Sequence, residues 1–147
     1  MTIDELLAEA RTTLSRLTPV QAWAAAQLGA AIVDTRPDGQ RRRTGVVPGS
    51  LLIDRNVLEW RLDPASDSRV PVASYDLHAV VLCQEGYSSS LAAASLQRVG
   101  LSRATDVIGG MDAWLAAGLP TVTYDDPSTY QVTGGTGPPS PLTSPPG

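Results

Sequence analysis

Ala79-Val80-Val81-Leu82 is a run of apolar β-formers that ends at Cys83, the single cysteine of a 147-residue chain. The next six residues, Gln84-Glu85-Gly86-Tyr87-Ser88-Ser89, lead into an alanine-rich stretch. Four apolar residues without polar alternation read as a buried strand. A buried strand that passes through a short loop into a helix surrounds the junction with backbone N–H groups and the positive end of a helix dipole. With cysteine at the junction, both favour thiolate over thiol. A lone cysteine is otherwise a small core hydrophobe. A core cysteine, however, needs neither a glycine three residues on nor a serine pair at a helix start, whereas a loop wrapping its amides around one atom needs both.

The rest of the chain repeats the alternation of strand and helix. Thr2-Ile3-Asp4-Glu5 is a capping box opening a helix with Leu7, Ala10, Leu14 and Leu17 on one face. Thr18-Pro19-Val20-Gln21 opens a second helix, which stops at Gly29. Strand 31–34 follows and runs into Asp34-Thr35-Arg36, with Pro37-Asp38-Gly39 continuing as loop to the basic run Arg41-Arg42-Arg43. Next come strand 50–53, a short helix near 54–60, a surface loop between Pro64 and Pro71, and strand 79–82. Helix 89–99, strand 105–108 and helix 110–117 complete the series. The pattern predicts an α/β fold with a mostly parallel central sheet and helices on both faces. In such sheets ligands bind at the carboxyl ends of the strands, where Cys83 lies.

Four segments, in order, carry a family resemblance. Cys83-x-x-Gly86-x-Ser88-Ser89 resembles the active-site loop of the rhodanese-like (sulfurtransferase) superfamily. Ala31 to Arg36 is similar to its strand ending in Asp-x-Arg, and Gly45-Val46-Val47-Pro48-Gly49-Ser50 to its Gly-His-Ile-Pro-Gly-Ala segment. Asp106 to Trp114 resembles its Gly-Gly-x-x-x-Trp ending. Together they span residues 18–123 and imply a rhodanese-like fold. Glu85 and the segment Asp54 to Arg61 resemble small single-domain proteins of actinobacteria.

The resemblance implies transfer of a sulfane sulfur through a Cys83 persulfide, with the amides from Gln84 to Ser89 holding the anion. Gly86 permits close backbone approach, and Ser88 or Ser89 either caps the following helix or also donates a hydroxyl toward sulfur. Without a second cysteine nothing inside the molecule resolves the persulfide, so the acceptor is external, a thiol or a cyanide-like nucleophile. The donor is a small sulfur compound or a protein persulfide. Asp34 and Arg36 read as a pair tying neighbouring loops beneath the site.

Departures from the family bear on the substrate. Rhodaneses that use thiosulfate often place cations in the two positions after the cysteine, here Gln84 and Glu85. A carboxylate beside an anionic sulfur repels a dianionic donor, which argues against thiosulfate as the natural one. A compensating cation would come from Arg55 or Arg61 on the same rim, unless these simply pair with Glu59 or Asp63. The family's histidine after Gly45 is replaced by Val46. His78 lies about 16 Å from Cys83 along one extended strand, too far to act as its base, and lacks companions for a metal site.

Composition narrows the alternatives. All 11 basic residues are arginine, which excludes Schiff-base chemistry and a phosphate-loop lysine. No cofactor is called for. A net charge of −4 gives no reason to expect nucleic acid or membrane as a partner, and no segment resembles a signal peptide or a spanning helix, so a soluble, cytoplasmic protein is expected. Oligomeric state is not readable. The domain is expected over 1–124, followed by a Pro/Gly-rich tail, 125–147, too poor in aliphatic residues to order itself unless Pro138 to Pro141 serves as a docking peptide. Three functions compete: a sulfurtransferase; a non-catalytic rhodanese module that binds a partner or senses sulfur; and a thiol phosphatase or arsenate reductase. The last would need a phosphate-gripping arginine in the loop, where Ser88 and Ser89 stand.

Overall fold

The computed structural model describes residues 1–124; the tail reading for 125–147 falls outside them. Four parallel strands, β1 (Ala31–Asp34), β2 (Leu51–Leu52), β3 (Ala79–Leu82) and β4 (Thr105–Asp106), form one sheet in the order β2-β1-β3-β4. Each strand is buried throughout, as expected where crossover helices cover both faces. Ala31, Val33, Ala79 and Val81 pack with Leu58 and Leu62 of α4 (Leu58–Leu62) and with Ala92, Ala93 and Leu96 of α5 (Ser88–Arg98). The intervening Ile32, Val80 and Leu82 face the opposite way. There they meet Ala22 of α2 (Pro19–Gln27) and Met111 and Trp114 of α6 (Gly110–Ala116). Trp114 is fully buried, lies edge-on to Trp23 with ring centroids 5.8 Å apart, and donates its indole N–H to the Pro120 carbonyl.

From β1 the chain crosses to β2 on one side and later returns to β3 on the other. The order therefore reverses between β1 and β3, and the crevice above their carboxyl ends is the ligand position of an open parallel sheet. Asp34 and Leu82 end these two strands in register. The Asp-Thr-Arg turn and the cysteine loop consequently emerge side by side.

Two local readings are corrected. The first helix, α1 (Ile3–Arg11), stops before Leu14 and buries none of its residues. Thr12 and Thr13 turn their hydroxyls back onto the Glu9 and Ala10 carbonyls, the competition with helix continuation that threonine offers. Leu14 and Leu17 then serve opposite cores, and Leu17 joins the sheet margin through bonds to Asp106 and Ile108. The second correction concerns 38–44, which is a helix, α3 (Asp38–Thr44), and not a loop. Arg41 of the basic run is buried in it. Its guanidinium donates to the Asp34 carbonyl (2.9 Å) and lies 3.6 Å from the Asp34 carboxylate, a tertiary tie that overrides the loop signal of Pro37 and Gly39.

Candidate active site

Cys83 leaves β3 nearly buried, with its thiol free. The chain then curls back so that the N–H groups of Gly86 (3.1 Å) and Ser89 (3.4 Å) point at Sγ. Gly86 sits at φ +88°, and a Cβ there would lie 2.6 Å from the Gly109 nitrogen, so glycine is required for both conformation and space. At Gly110 (φ +61°) a Cβ would meet the Cys83 carbonyl oxygen at 2.4 Å. This contact lets the start of α6 dock on the loop: Met111 and Asp112 donate their amides to the carbonyls of Cys83 (2.8 Å) and Gln84 (3.0 Å).

The serines do not behave as helix caps. The N-cap of α5 is Tyr87, without a side-chain bond to the helix amides. Ser88 is exposed on the cavity rim. Ser89 turns its hydroxyl away from sulfur onto Asp106 (2.7 Å), as does Ser90. Only the backbone N–H of Ser89 serves the sulfur. The Ser89 hydroxyl does not fulfil the capping role, because a buried carboxylate at the end of β4 is the stronger acceptor.

Asp34 and Arg36 join neighbouring loops. Both side chains are fully buried and paired at 2.9 Å. Arg36 also donates to Thr44 Oγ1 (2.7 Å), the Gly45 carbonyl (2.8 Å) and Gln84 Oε1 (3.0 Å). Gln84 in turn donates to Asp112 (2.7 Å). Glutamine fits this position because it accepts from a guanidinium and donates to a carboxylate at once, which lysine or arginine cannot do.

A cavity of about 320 Å3 opens in front of Cys83, lined among others by Thr35, Gln40, Arg55, Glu85 and Tyr87. Glu85 is exposed on its rim. Arg55 reaches the cavity and also pairs with Glu59 at 3.0 Å. Burial pushes the Glu59 carboxyl up, but hydrogen bonds from Ser95 and its own amide, with the charge and hydrogen bond of Arg55, hold it below the ordinary value on balance. Arg61 is not part of the cavity lining: it donates to the Ser68 carbonyl (2.9 Å), so of the two candidate cations only Arg55 faces the site.

His78 sits at the opposite end of β3 from Cys83. Burial, helped by the charge of Arg103, lowers its pKa from 6.5. The unfolded chain therefore takes up this proton first, and the associated stability, present above the ordinary imidazole value, is lost as pH falls through 6.5 toward the folded value. His78→Gln should flatten that part of the dependence, measured as Tm against pH. Among the described residues no group of His, Cys, Asp and Glu could hold a metal, and no helix is long and apolar enough to cross a membrane.

Sequence reading missed Arg11, Arg16, Ser90 and Asp106. Arg11 donates to the Gly86 carbonyl (2.8 Å) and to Ser90 Oγ (3.0 Å). Arg16 donates to the same carbonyl (3.1 Å) and bridges both oxygens of Asp106 (2.8 and 3.2 Å). No local pattern marks residues 90 positions apart as partners.

A parallel sheet with a thiol at its switch point, wrapped by amides, defines a cysteine-loop α/β protein. The family model described as Rhodanese-like domain matches residues 18–117. The chain belongs to that family. It is 33% identical over 105 residues to a protein named thiosulfate sulfurtransferase GlpE from Pseudomonas savastanoi pv. phaseolicola, covering 71% of this chain and 91% of the relative. Another protein of the same name, from Haemophilus influenzae (strain PittEE), is 31% identical over 109 residues, covering 74% and 94%. A solved structure from Rhodopseudomonas palustris, described as a protein of unknown function and possible tyrosine phosphatase, superposes with a TM-score of 0.76 at 34% identity, covering 83% of this chain and 95% of its own.

Proposed function

We propose that the protein is a sulfurtransferase that carries a sulfane sulfur on Cys83. The observation that carries this reading is the pair of amides, Gly86 and Ser89, directed at Sγ beneath an open cavity. In the first half-reaction the Cys83 thiolate attacks the outer sulfur of a donor. With thiosulfate the S–S bond breaks, sulfite leaves with the bonding pair, and Cys83–S–S⁻ remains. In the second, a nucleophile such as cyanide attacks that terminal sulfur, giving thiocyanate and regenerating the thiolate. Charge and sulfur balance at each step, and no cofactor enters. The amides are preorganised donors for the anion at both stages.

The relatives named as thiosulfate sulfurtransferases support thiosulfate as a donor that this fold accepts, while the rim of this site argues for a less charged one. Arg36 and Arg41 are matched by Asp34 and Asp38, and Arg55 by Glu59, which leaves Glu85 as the unbalanced charge at the mouth among the described residues. A thiol-borne persulfide, small or on a carrier protein, fits that rim better than a dianion.

Thiocyanate formation with thiosulfate and with glutathione persulfide tests both points. Activity with either donor is expected, and its absence with both would refute the assignment. Glu85→Lys should raise thiosulfate turnover by about three- to tenfold at low salt, with the gain shrinking as salt is added. Persulfide turnover should barely move. Equal changes with both donors would show that Glu85 acts on the loop and not on donor charge.

The phosphatase description of the R. palustris protein finds no support in this loop. A phosphate dianion there needs a guanidinium fork closing the turn. The sixth position after Cys83 is instead Ser89, whose hydroxyl is committed to Asp106.

A further inference from the structure

Residues 1–17 lie before the segment matched by the family model, yet two of their side chains hold the cysteine loop. Arg11 and Arg16 converge on one acceptor, the carbonyl oxygen of Gly86. Two cations on one backbone oxygen are more than a loop needs for satisfaction, since one donor suffices. Behind them Asp106, fully buried, accepts from Arg16, Ser89 and Ser90, and Ser90 accepts from Arg11. The network is closed: every member touches at least one residue of the loop or of the first turn of α5.

Its consequence follows from peptide geometry. In a planar trans peptide the C=O and the following N–H point in opposite directions. Fixing the Gly86 oxygen against the guanidiniums turns the Tyr87 N–H away from them. It also restrains ψ of Gly86, the residue whose own N–H lies 3.1 Å from Sγ. Arg11 lies 5.8 Å from the centre of the Tyr87 ring as well, pinning the next residue. The charges do not cancel. Arg16 is matched by Asp106, whereas no carboxylate lies within ion-pair distance of Arg11 among the described residues. One net positive charge therefore stands behind the loop, on the carbonyl side of a peptide dipole.

We propose that Arg11, with Arg16, is a positioning residue for Cys83. It sets the amide cradle and supplies from behind the loop the positive bias that Gln84 and Glu85 do not supply in front. The inference rests on the sulfurtransferase reading for its purpose but not for its test. Because α1 buries none of its residues, Arg11 can be changed without opening a core.

The full chain is compared as wild type, Arg11→Gln and Arg11→Lys by three measurements. These are the pH profile of Cys83 alkylation by iodoacetamide, the single-turnover rate of persulfide formation from glutathione persulfide, and Tm. Arg11→Gln should move the alkylation profile to higher pH and slow persulfide formation about tenfold, with Tm within a few degrees of wild type. Arg11→Lys, which keeps the charge and a donor, should recover most of both. Wild-type profiles and rates in Arg11→Gln would overturn the proposal, as would equal losses in both variants that track a fall in Tm. If the alkylation profile responds as expected but even wild type forms no persulfide, the positioning role stands and the sulfurtransferase reading fails.

Discussion

Cys83→Ser is expected to abolish sulfur transfer, lowering thiocyanate formation by at least about three orders of magnitude with any donor, while leaving Tm close to wild type. A serine hydroxyl is scarcely ionised near neutral pH, and oxygen in its place forms no persulfide. The cradle itself remains, because the bonds that shape it are made by the backbone at Cys83, Gln84 and Gly86 and by side chains outside the loop. The Met111 amide still finds the carbonyl of residue 83. The variant therefore separates chemistry from architecture: full loss of turnover with retained stability is the signature of the nucleophile. Residual turnover above a few per cent would mean that another group accepts the sulfur, and Cys83 is the chain's only thiol.

Asp34→Ala is expected to have the largest effect on stability. Asp34 is buried and faces two buried guanidiniums, Arg36 at 2.9 Å and Arg41 at 3.6 Å. Removing one partner of a buried pair strands the other charge, a loss of about 3–5 kcal/mol. For a domain of this size that corresponds to a Tm lower by roughly 10–20 °C. The damage should also reach the site, since Arg36 holds Gln84 and the Gly45 carbonyl only while Asp34 fixes its orientation. Asp34→Asn keeps an acceptor for the Arg36 amide and should cost less. Thermal unfolding of the two variants checks the order; equal and small losses would show that the arginines find other partners.

The parts of this architecture written in consecutive residues were legible from sequence. Strands β1 and β3 are unbroken apolar runs because both faces are covered, and the cysteine loop follows from a strand that must turn into a helix. The N-cap at Thr2 and the capping box at Thr18 are local chemistry and mark the starts of α1 and α2, although Glu5 takes the Thr2 hydroxyl and does not close a box on the Thr2 amide. What escaped was written across the chain. Arg41 reads as one of three arginines in a loop until Asp34 is placed beside it, while Arg42 and Arg43 stay exposed. Arg55 and Arg61 look equivalent, but the short helical segment that carries them points them to different surroundings. Ser89 reads as a cap because a serine at a helix start usually is one; only the buried Asp106 redirects it. The clamp of Arg11 and Arg16 on Gly86 joins positions 70 or more residues apart, and no periodicity carries that information.

Intact-mass spectrometry of the full chain, before and after incubation with thiosulfate or glutathione persulfide, tests the central claim most directly. The prediction is a gain of one sulfur atom on wild type, located at Cys83 by peptide mapping, discharged by cyanide or dithiothreitol, and absent from Cys83→Ser. An unchanged mass with every donor, or a sulfur adduct that persists in Cys83→Ser, would contradict it.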